Sequence, residues 1–393
     1  MDTRSLRGQV AIVGLGESVY YKAGQSPDAE FKLLLKAILA ACAEAHVDPR
    51  DIDGFSSFAN DRNEPARIAA ALGTKDLRFA AMQWGGGGGG CAGAVANGAS
   101  AILAGLAHCV LVYRALAQGQ HGRFGQAAGS ATVSGDMAYQ MPYGVLAPPQ
   151  KFALRVRRFM HEHQVHQDAL RAIALASYHH AQNNPRAVMF GKPLTAERYD
   201  ASRWITEPFH LFDCCMENDG AAALLLVDAS RVSDFPCAPV YVLGAVTGSD
   251  VRAGASAHNA PNYASANYEG IAQRLYGVAK IAAKDVNVVQ CYENFTGGVV
   301  MALAEHDFFA PEEANDFLRV ENLIAPDGRL PLNTSGGHLG ECYLQGLSLI
   351  LEAARQVRGT SSNQVPVHDV ALVIGGPMVT PASSLVLGSS ATL

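Results

Sequence analysis

The order of strands and helices at the start of the 393-residue chain is repeated in its second part. QVAIVGLG predicts a strand, and AEFKLLLKAILAACAEAHVDPRDIDGFSSF predicts an amphipathic helix, a turn and a second strand. Later, PVYVLGAV and YEGIAQRLYGVAKIAAKDVNVVQCYENF predict the same order. Each copy continues with a small-residue helix and an apolar strand, in NGASAILAGLAHCVLVY and in LQGLSLILEAARQVRG followed by HDVALVIGG. The repeat indicates a duplicated α/β fold with partly parallel sheets buried between helix layers.

An irregular segment interrupts the first copy between Arg114 and Phe209. It is rich in Gly, Gln and Pro and contains one predicted helical piece, QKFALRVRRFMHEHQVHQDALRAIALASYHHAQ. Excursions of this kind often shape a substrate entrance. We therefore divide the chain into an N-terminal half, residues 1–232, with a loop excursion at 114–209, and a C-terminal half, residues 233–393. The final TPASSLVLGSSATL is predicted to be disordered or to dock on a neighbouring chain.

The composition favours a small-molecule substrate and a reducing compartment. A hydrophobic content of 49% supports a large core, and a net charge of -6 without a basic run argues against nucleic acid as the partner. The eight cysteines form no C-x-x-C pair and no zinc-like spacing, and the N-terminus lacks the apolar region of a secretion signal. We therefore expect a cytoplasmic protein with reduced thiols.

Two segments admit a second interpretation. The uncharged run from Ala92 to Tyr113 is long enough for a membrane span, but internal polar residues such as His108 and the β-rich CVLVY ending favour a buried helix and strand. The HEHQVHQ cluster places His161 and His163 on different faces of a helix. A surface helix is therefore favoured there over a metal site, and no metal is predicted.

Three stretches resemble the thiolase superfamily and, within it, the lipid-transfer-protein-like branch. The first runs from NNPRAVMFGKPLTAERYD to CCMENDGAAALLLVDASR. The second, NTSGGHLGECYLQG, is similar to the family loop in which N-x-S-G-G is followed by G-H-P-x-G, and the third, CYENFTGG, resembles the motif N-E-A-F or H-D-x-F. The resemblance covers nearly the whole chain. It implies a thiolase-like, duplicated five-layer αβαβα fold with an inserted loop region.

The catalytic residues of that family are replaced in this chain. The loop histidine falls on Tyr343, the Asn or His of the strand-end motif falls on Tyr292, and the nucleophilic cysteine falls on Gly88 within GGGGGG. The loop after the predicted last strand also has glycines in place of the second cysteine of most thiolases. The resemblance therefore implies the thiolase fold without the thiolase nucleophile.

A thiolase site also stabilises a thioester enolate, and this capacity does not need the cysteine. Glycine N–H groups can approach a thioester oxygen closely, because no side chain intervenes. Tyr292 and Tyr343 are predicted to share the acid and base steps. A free tyrosine has a pKa of about 10, so neighbouring groups would have to bring that pKa closer to neutral. The candidates for this role are His338, Glu293 and His306. The glycines predicted to form the oxyanion and substrate loops are Gly88, Gly89, Gly336, Gly337, Gly375 and Gly376.

This pattern resembles the lipid-transfer-protein-like aldolases of actinobacterial sterol side-chain degradation. The resemblance implies retro-aldol cleavage of a 3-hydroxyacyl-CoA, specifically a 17-hydroxy steroid C22-oyl-CoA, into a 17-ketosteroid and propionyl-CoA. It implies no cofactor beyond the coenzyme A of the substrate, a homodimer, and an OB-fold acyl-CoA-binding partner domain of a hydratase. Two alternatives stay open, namely an acyltransferase that uses Cys91 and a non-catalytic acyl-CoA-binding scaffold.

Overall fold

The computed structural model describes residues 5–85, 87–121, 133–252 and 261–393. The strands of these residues are β1 (Val10–Glu17), β2 (Tyr21–Lys22), β3 (Gly54–Phe58), β4 (Phe79–Gln83), β5 (Cys109–Ala117), β6 (Trp204–Thr206), β7 (Phe209–His210), β8 (Asn218–Asp228), β9 (Val240–Gly248), β10 (Val288–Cys291), β11 (Val370–Gly375) and β12 (Ala382–Gly388). The helices are α1 (Glu30–Ala45), α2 (Pro65–Leu72), α3 (Cys91–Leu103), α4 (Gln118–His121), α5 (Pro148–Glu162), α6 (Gln167–Gln182), α7 (Ala196–Asp200), α8 (Glu269–Ala279), α9 (Thr296–Glu305), α10 (Ala314–Phe317), α11 (Val320–Leu323), α12 (Gly337–Gly340) and α13 (Leu347–Arg358).

One strand order occurs twice in the main sheet, which runs β10-β11-β12-β9-β1-β8-β5-β3-β4. In the first copy β1 and β5 pair antiparallel with β8, and β3 runs parallel to both β5 and β4. In the second copy β9 and β11 pair antiparallel with β12, and β10 runs parallel to β11. In the second copy, an isolated parallel bridge between Val289 of β10 and Leu332 lies where the first copy has β4. The predicted duplication is therefore confirmed in the strand pairing.

The helices form layers outside and between the two copies of the strand order. Helix α1 packs on β1, β5 and β8, and α8 packs on β9 and β12. Helices α3 and α13 lie between the copies, because each of them contacts strands of both. Three buried apolar clusters follow these layers, with α3 and α13 contributing to the central one. This arrangement confirms the predicted thiolase-like αβαβα fold.

The uncharged run from Ala92 to Tyr113 forms most of α3 and the first part of β5. A helix that is covered by sheets on two sides must be apolar or small all round. A Cβ atom at Gly98 would lie 3.0 Å from side-chain atoms of Leu226 and Val110, so the glycine allows the helix to approach the sheet closely. Within the described ranges, no helix combines the length and hydropathy needed to cross a membrane.

Two segments differ from the sequence-based expectation. The C-terminal TPASSLVLGSSATL contains β12, a buried strand between β9 and β11, and is not a disordered tail. The single helix predicted in the excursion is two helices, α5 and α6, with Gln164 between them at a φ of 53°. Residues 122–132 of the excursion and Gly86 of the glycine run lie outside the described residues. The boundary between residues 232 and 233 stays a prediction.

Candidate active site

Tyr292 and Tyr343 meet where the two halves of the chain face each other. Tyr292 follows β10, and its backbone N–H donates to the carbonyl of Ile374 at 2.8 Å. Tyr343 follows α12, and its backbone N–H donates to the side chain of Asn218. The two hydroxyl oxygens are 2.6 Å apart and share a hydrogen bond, and the residues are only 3% and 8% exposed. The structure therefore joins the two tyrosines into one buried polar unit.

A cavity of about 260 Å³ opens onto both tyrosine rings. Helix α5 belongs to the excursion and contributes one wall of the cavity, as an element that shapes a substrate entrance would. The composition of the wall suits an apolar acyl group that reaches the tyrosine hydroxyls at one end. Its apolar lining residues are Pro148, Pro149, Phe152, Met216, Phe295 and Val379.

Gly88 lies directly against the ring of Tyr292. A Cβ atom at residue 88 would overlap Cε2, Cζ and Oη of that ring. A side chain at residue 88 and the observed tyrosine position therefore exclude each other. The space that a nucleophilic cysteine would occupy at this position is filled by the Tyr292 ring.

The other five predicted oxyanion glycines have packing roles in the structure, and none is among the described lining residues of the cavity. Gly89 and Gly376 pack backbone against backbone, and a Cβ atom on either would overlap main-chain atoms. Gly336 and Gly337 have φ values of 105° and 55° and form the start of α12. Gly375 packs against the Cys91 sulfur. Of the six glycines, Gly88 alone lines the cavity.

His338 packs edgewise against both tyrosine rings. Its ring centroid is 4.5 Å from that of Tyr292 and 5.1 Å from that of Tyr343, with interplanar angles of 84° and 73°. Neither ring nitrogen has a hydrogen-bond partner among the described residues. Burial lowers the pKa of His338 to about 3, so the ring is neutral near pH 7. The structure thus brings His338 to the pair as a neutral ring and not as a cation.

The other two tuning candidates lie further from the tyrosine hydroxyls. The Glu293 carboxylate accepts hydrogen bonds from Ser177, from Asn333 and from the Leu339 N–H at 3.1 Å. Burial raises the pKa of Glu293 to about 8, which favours its neutral form. Nδ1 of His306 instead donates to the Ala302 carbonyl in α9, and its Nε2 shares a hydrogen bond with the Ser384 hydroxyl in β12. Glu293 therefore fixes the turn that carries His338, and His306 belongs to the packing of the second half.

Four polar residues of the cavity wall were not expected from the sequence, namely Gln118, Glu217, Asn294 and Gln345. Gln118 accepts the Asn218 N–H at 2.8 Å through Oε1, and its Nε2 has no partner in the described part of the chain. Asn294 accepts the Phe295 N–H at 3.0 Å, and Gln345 accepts a hydrogen bond from Arg114. Asn294 and Gln345 each lie two residues after a candidate tyrosine, which is a signal that the sequence offered. Gln118 has no comparable signal.

Cys91 is buried beside the cavity and does not line it. A Cβ atom at Gly346 would lie 2.7 Å from its sulfur, and one at Gly375 would also contact it, so glycines enclose the thiol. Burial raises the pKa of Cys91 to about 12, and burial likewise raises the pKa of Cys215, which does line the cavity, to about 12. Both thiols are therefore protonated and poor nucleophiles near neutral pH.

The fold and the site together define a thiolase-type protein without the acyl-accepting cysteine. Residues 250–389 match the family model described as thiolase C-terminal domain-like. The crystal structure of human mitochondrial 3-ketoacyl-CoA thiolase aligns with 98% of this chain and 99% of its own, at a TM-score of 0.65 and 16% identity. This similarity concerns the fold alone.

More similar relatives place the chain within one family of that superfamily. It is 37% identical to a steroid side-chain-cleaving aldolase of Thermomonospora curvata, over 98% of this chain and 99% of that protein. It is 36% identical to the 17-hydroxy-3-oxo-4-pregnene-20-carboxyl-CoA lyase of Mycobacterium tuberculosis, over 98% and 100%. The solved Ltp2-ChsH2(DUF35) aldolase superposes with a TM-score of 0.90 and 35% identity, over 99% of this chain and 100% of that one. The chain belongs to the steroid side-chain-cleaving aldolase family of the thiolase superfamily.

The contact between Gly88 and Tyr292 predicts a specific coupling. We expect Gly88→Ala to lower the free energy of unfolding by about 1–3 kcal/mol, the usual cost of overpacking a core. The same substitution should cost much less in a Tyr292→Ala background, because the overlapped ring is gone. Denaturant unfolding of the four proteins measures this difference.

Gly277→Ala is the matched control, since no atom lies within 4 Å of a Cβ at that position in α8. An equal cost of Gly88→Ala in both backgrounds would show that the ring does not occupy the space at residue 88.

Proposed function

We propose that the chain catalyses retro-aldol cleavage of a 3-hydroxyacyl-CoA, with a 17-hydroxy steroid C22-oyl-CoA as the substrate. The products are a 17-ketosteroid and propionyl-CoA. The observation that carries the proposal is the 2.6 Å contact between the hydroxyls of Tyr292 and Tyr343, two residues that line one cavity. The names of the two relatives above 35% identity support the choice of a steroid acyl-CoA.

The proton balance of this reaction suits a hydrogen-bonded tyrosine pair. The substrate hydroxyl loses its proton, the bond between the carbinol carbon and the carbon next to the thioester breaks, and the bonding electrons enter the thioester as an enolate. The enolate carbon then gains a proton. Since one proton leaves and one arrives, the pair can pass it through its shared hydrogen bond and end in its starting state. No cofactor is needed in this scheme.

The thioester enolate also needs a hydrogen-bond donor. Gln118 supplies one candidate, because its Oε1 is engaged by the Asn218 N–H and its Nε2 has no other described partner. The residue is buried and lines the cavity. We assign it, together with Gly88, which also lines the cavity, to the thioester side of the site.

We propose further that the chain works as a homodimer with an OB-fold, acyl-CoA-binding partner domain of a hydratase, in the cytoplasm. Strand β4 is the edge strand of the main sheet, and Met82 within it and Trp84 just after it are exposed, Trp84 to 86%. Leu103 and Leu106, beside the end of α3, are exposed as well. An apolar sheet edge of this kind favours pairing with a second copy. The name of the solved Ltp2-ChsH2(DUF35) aldolase has two components, which supports a partner domain. All eight cysteines are free, which supports a reducing compartment.

The first test of this function is turnover by tyrosine variants. We expect the wild-type chain, assayed with its partner domain, to convert a 17-hydroxy steroid acyl-CoA into ketone and propionyl-CoA. Tyr292→Phe and Tyr343→Phe should each lower kcat by about a hundredfold or more, because each removes one proton carrier. Product formation is followed by liquid chromatography with mass spectrometry. Tyr143→Phe, at an exposed tyrosine, is the control and should keep wild-type turnover; near-normal turnover in either buried variant would remove that residue from the mechanism.

A second test separates the aldolase from an acyltransferase. A lyase forms no acyl-enzyme, and Cys91 is buried with a raised pKa, so Cys91→Ala should retain aldolase turnover. Intact-protein mass spectrometry during turnover should show no acyl adduct. An acylated Cys91 peptide would restore the transferase interpretation.

The assembly gives a third test. We expect the isolated chain to be a homodimer by light scattering, and addition of the OB-fold domain to give a heterotetramer with higher turnover. Trp84→Glu should weaken the dimer, because it places a charge beside the exposed sheet edge. A soluble monomer whose full activity the partner does not raise would contradict both parts of the proposal.

A further inference from the structure

Arg114 is a buried cation close to the tyrosine pair. It lies in β5, and its side chain is 1% exposed. One guanidinium nitrogen, Nη1, donates to the Phe58 carbonyl and to the Asp61 carboxylate, each at 3.0 Å. The other Asp61 oxygen accepts two hydrogen bonds from Asn63, at 2.8 and 2.9 Å. The charge is thus paired and its geometry is fixed, as a buried ion requires.

Gln345 connects this cation to Tyr343. Its Oε1 accepts a hydrogen bond from Nη2 of Arg114, so the orientation of the side-chain amide is determined. The remaining Nε2 is a donor, and Gln345 lines the same cavity as Tyr343 and lowers the pKa of its hydroxyl. Gln345 has a φ of 49° and precedes Gly346 at 97°, so the backbone turns just after Tyr343. Arg114 thus holds the Gln345 amide in a fixed orientation beside the hydrogen-bonded tyrosine pair.

The groups around Tyr343 shift the pKa of its hydroxyl in opposite directions. Burial and the neighbouring Cys215 raise the pKa of Tyr343, while hydrogen bonds from Tyr292 and Gln345 and the charge of Arg114 lower it. Burial also raises the pKa of Tyr292, and there the neighbouring Tyr343 adds to the rise. His338 and Glu293 are both neutral near pH 7 by their shifted pKa values. Arg114 is thus the charged one of these three neighbours.

We infer that Arg114 and Gln345 form an arm that orients the Tyr343 hydroxyl and stabilises its phenolate, the form that takes the proton from the substrate hydroxyl. The inference rests on the proposed aldolase function and adds two positioning residues to it. Gln345 acts on Tyr343 through its side-chain amide, and Arg114 acts through Gln345. In a water-poor site such donors act with little screening.

The test reads the charge of Tyr343 without any turnover. The 3,5-difluorotyrosine analogue is incorporated at position 343 of the full chain, because it ionises at a lower pH than the other tyrosines and its phenolate absorbs. Gln345→Met keeps the length of the side chain and removes the amide that accepts from Arg114 and offers a donor to Tyr343. We expect the titration midpoint to rise by about one to two pH units, the scale of one lost hydrogen bond to a charged group. Arg114→Lys should raise it in the same direction, because lysine lacks the planar fork that serves Phe58, Asp61 and Gln345 together.

Steady-state kinetics then separate this inference from the proposed function. With the steroid acyl-CoA, Gln345→Met should lower kcat at pH 7 about tenfold or more, with KM within about threefold and partial recovery at higher pH. Gln182→Met is the matched control, since Gln182 donates to the carbonyls of Tyr178 and Met189 away from the cavity. An unmoved midpoint in Gln345→Met would overturn the arm even if turnover fell. A raised midpoint in a chain without aldolase activity would support the arm and contradict the proposed function.

Discussion

The steric exclusion between a side chain at residue 88 and the ring of Tyr292 is the constraint on which the rest of the site depends. The two residues come from different halves of the chain, one just before α3 and the other just after β10. The start of α3 cannot move away easily, because the Cys91 thiol there is enclosed by Gly346 and Gly375. A close-packed interior would transmit such a movement to its neighbours. The site therefore has room either for a nucleophilic side chain at residue 88 or for the ring of Tyr292, but not for both. A tyrosine at residue 292 thus requires a glycine at residue 88.

Burial determines which groups around the pair carry charge. A histidine and a carboxylate beside two tyrosines suggest an ionic site in the sequence, but burial lowers the pKa of His338 to about 3 and raises the pKa of Glu293 to about 8. Both groups therefore lose their charge near pH 7. Arg114 keeps its charge, because Asp61 is paired with it at 3.0 Å and Phe58 offers a carbonyl. Because burial neutralises His338 and Glu293 while Arg114 stays paired and charged, the electrostatic field at Tyr343 has a defined direction.

The sequence predicted most of the fold and the centre of the site, for identifiable reasons. The repeated order of strands and helices depends on local periodicity, and the structure follows it from β1 to β11. The meeting of Tyr292 and Tyr343 could be expected because both fall in aligned loops of one fold. Strand β12 was missed because the segment begins with small polar residues that are buried beside β9. The packing roles of Gly89, Gly336 and Gly376 could not be predicted, since they depend on which backbones approach each other across the two halves. Arg114 ends an apolar run, CVLVYR, and only its partners reveal that the charge is buried.

The chemistry of the proposed reaction explains why a strongly raised tyrosine pKa is compatible with catalysis. A thiolase nucleophile must lose a proton before it attacks, so its site has to favour the charged form. In a retro-aldol reaction the proton that leaves the alcohol is balanced by the proton that the enolate carbon gains, so the base is regenerated in each turnover. Burial raises the pKa of both tyrosines towards that of an alcohol, which makes the proton transfer from the substrate more nearly balanced in energy. The hydrogen bond from Tyr292 and the nearby Gln345 amide then limit the rise of the pKa at Tyr343, so that the charge of its phenolate is stabilised by fixed donors and not by water.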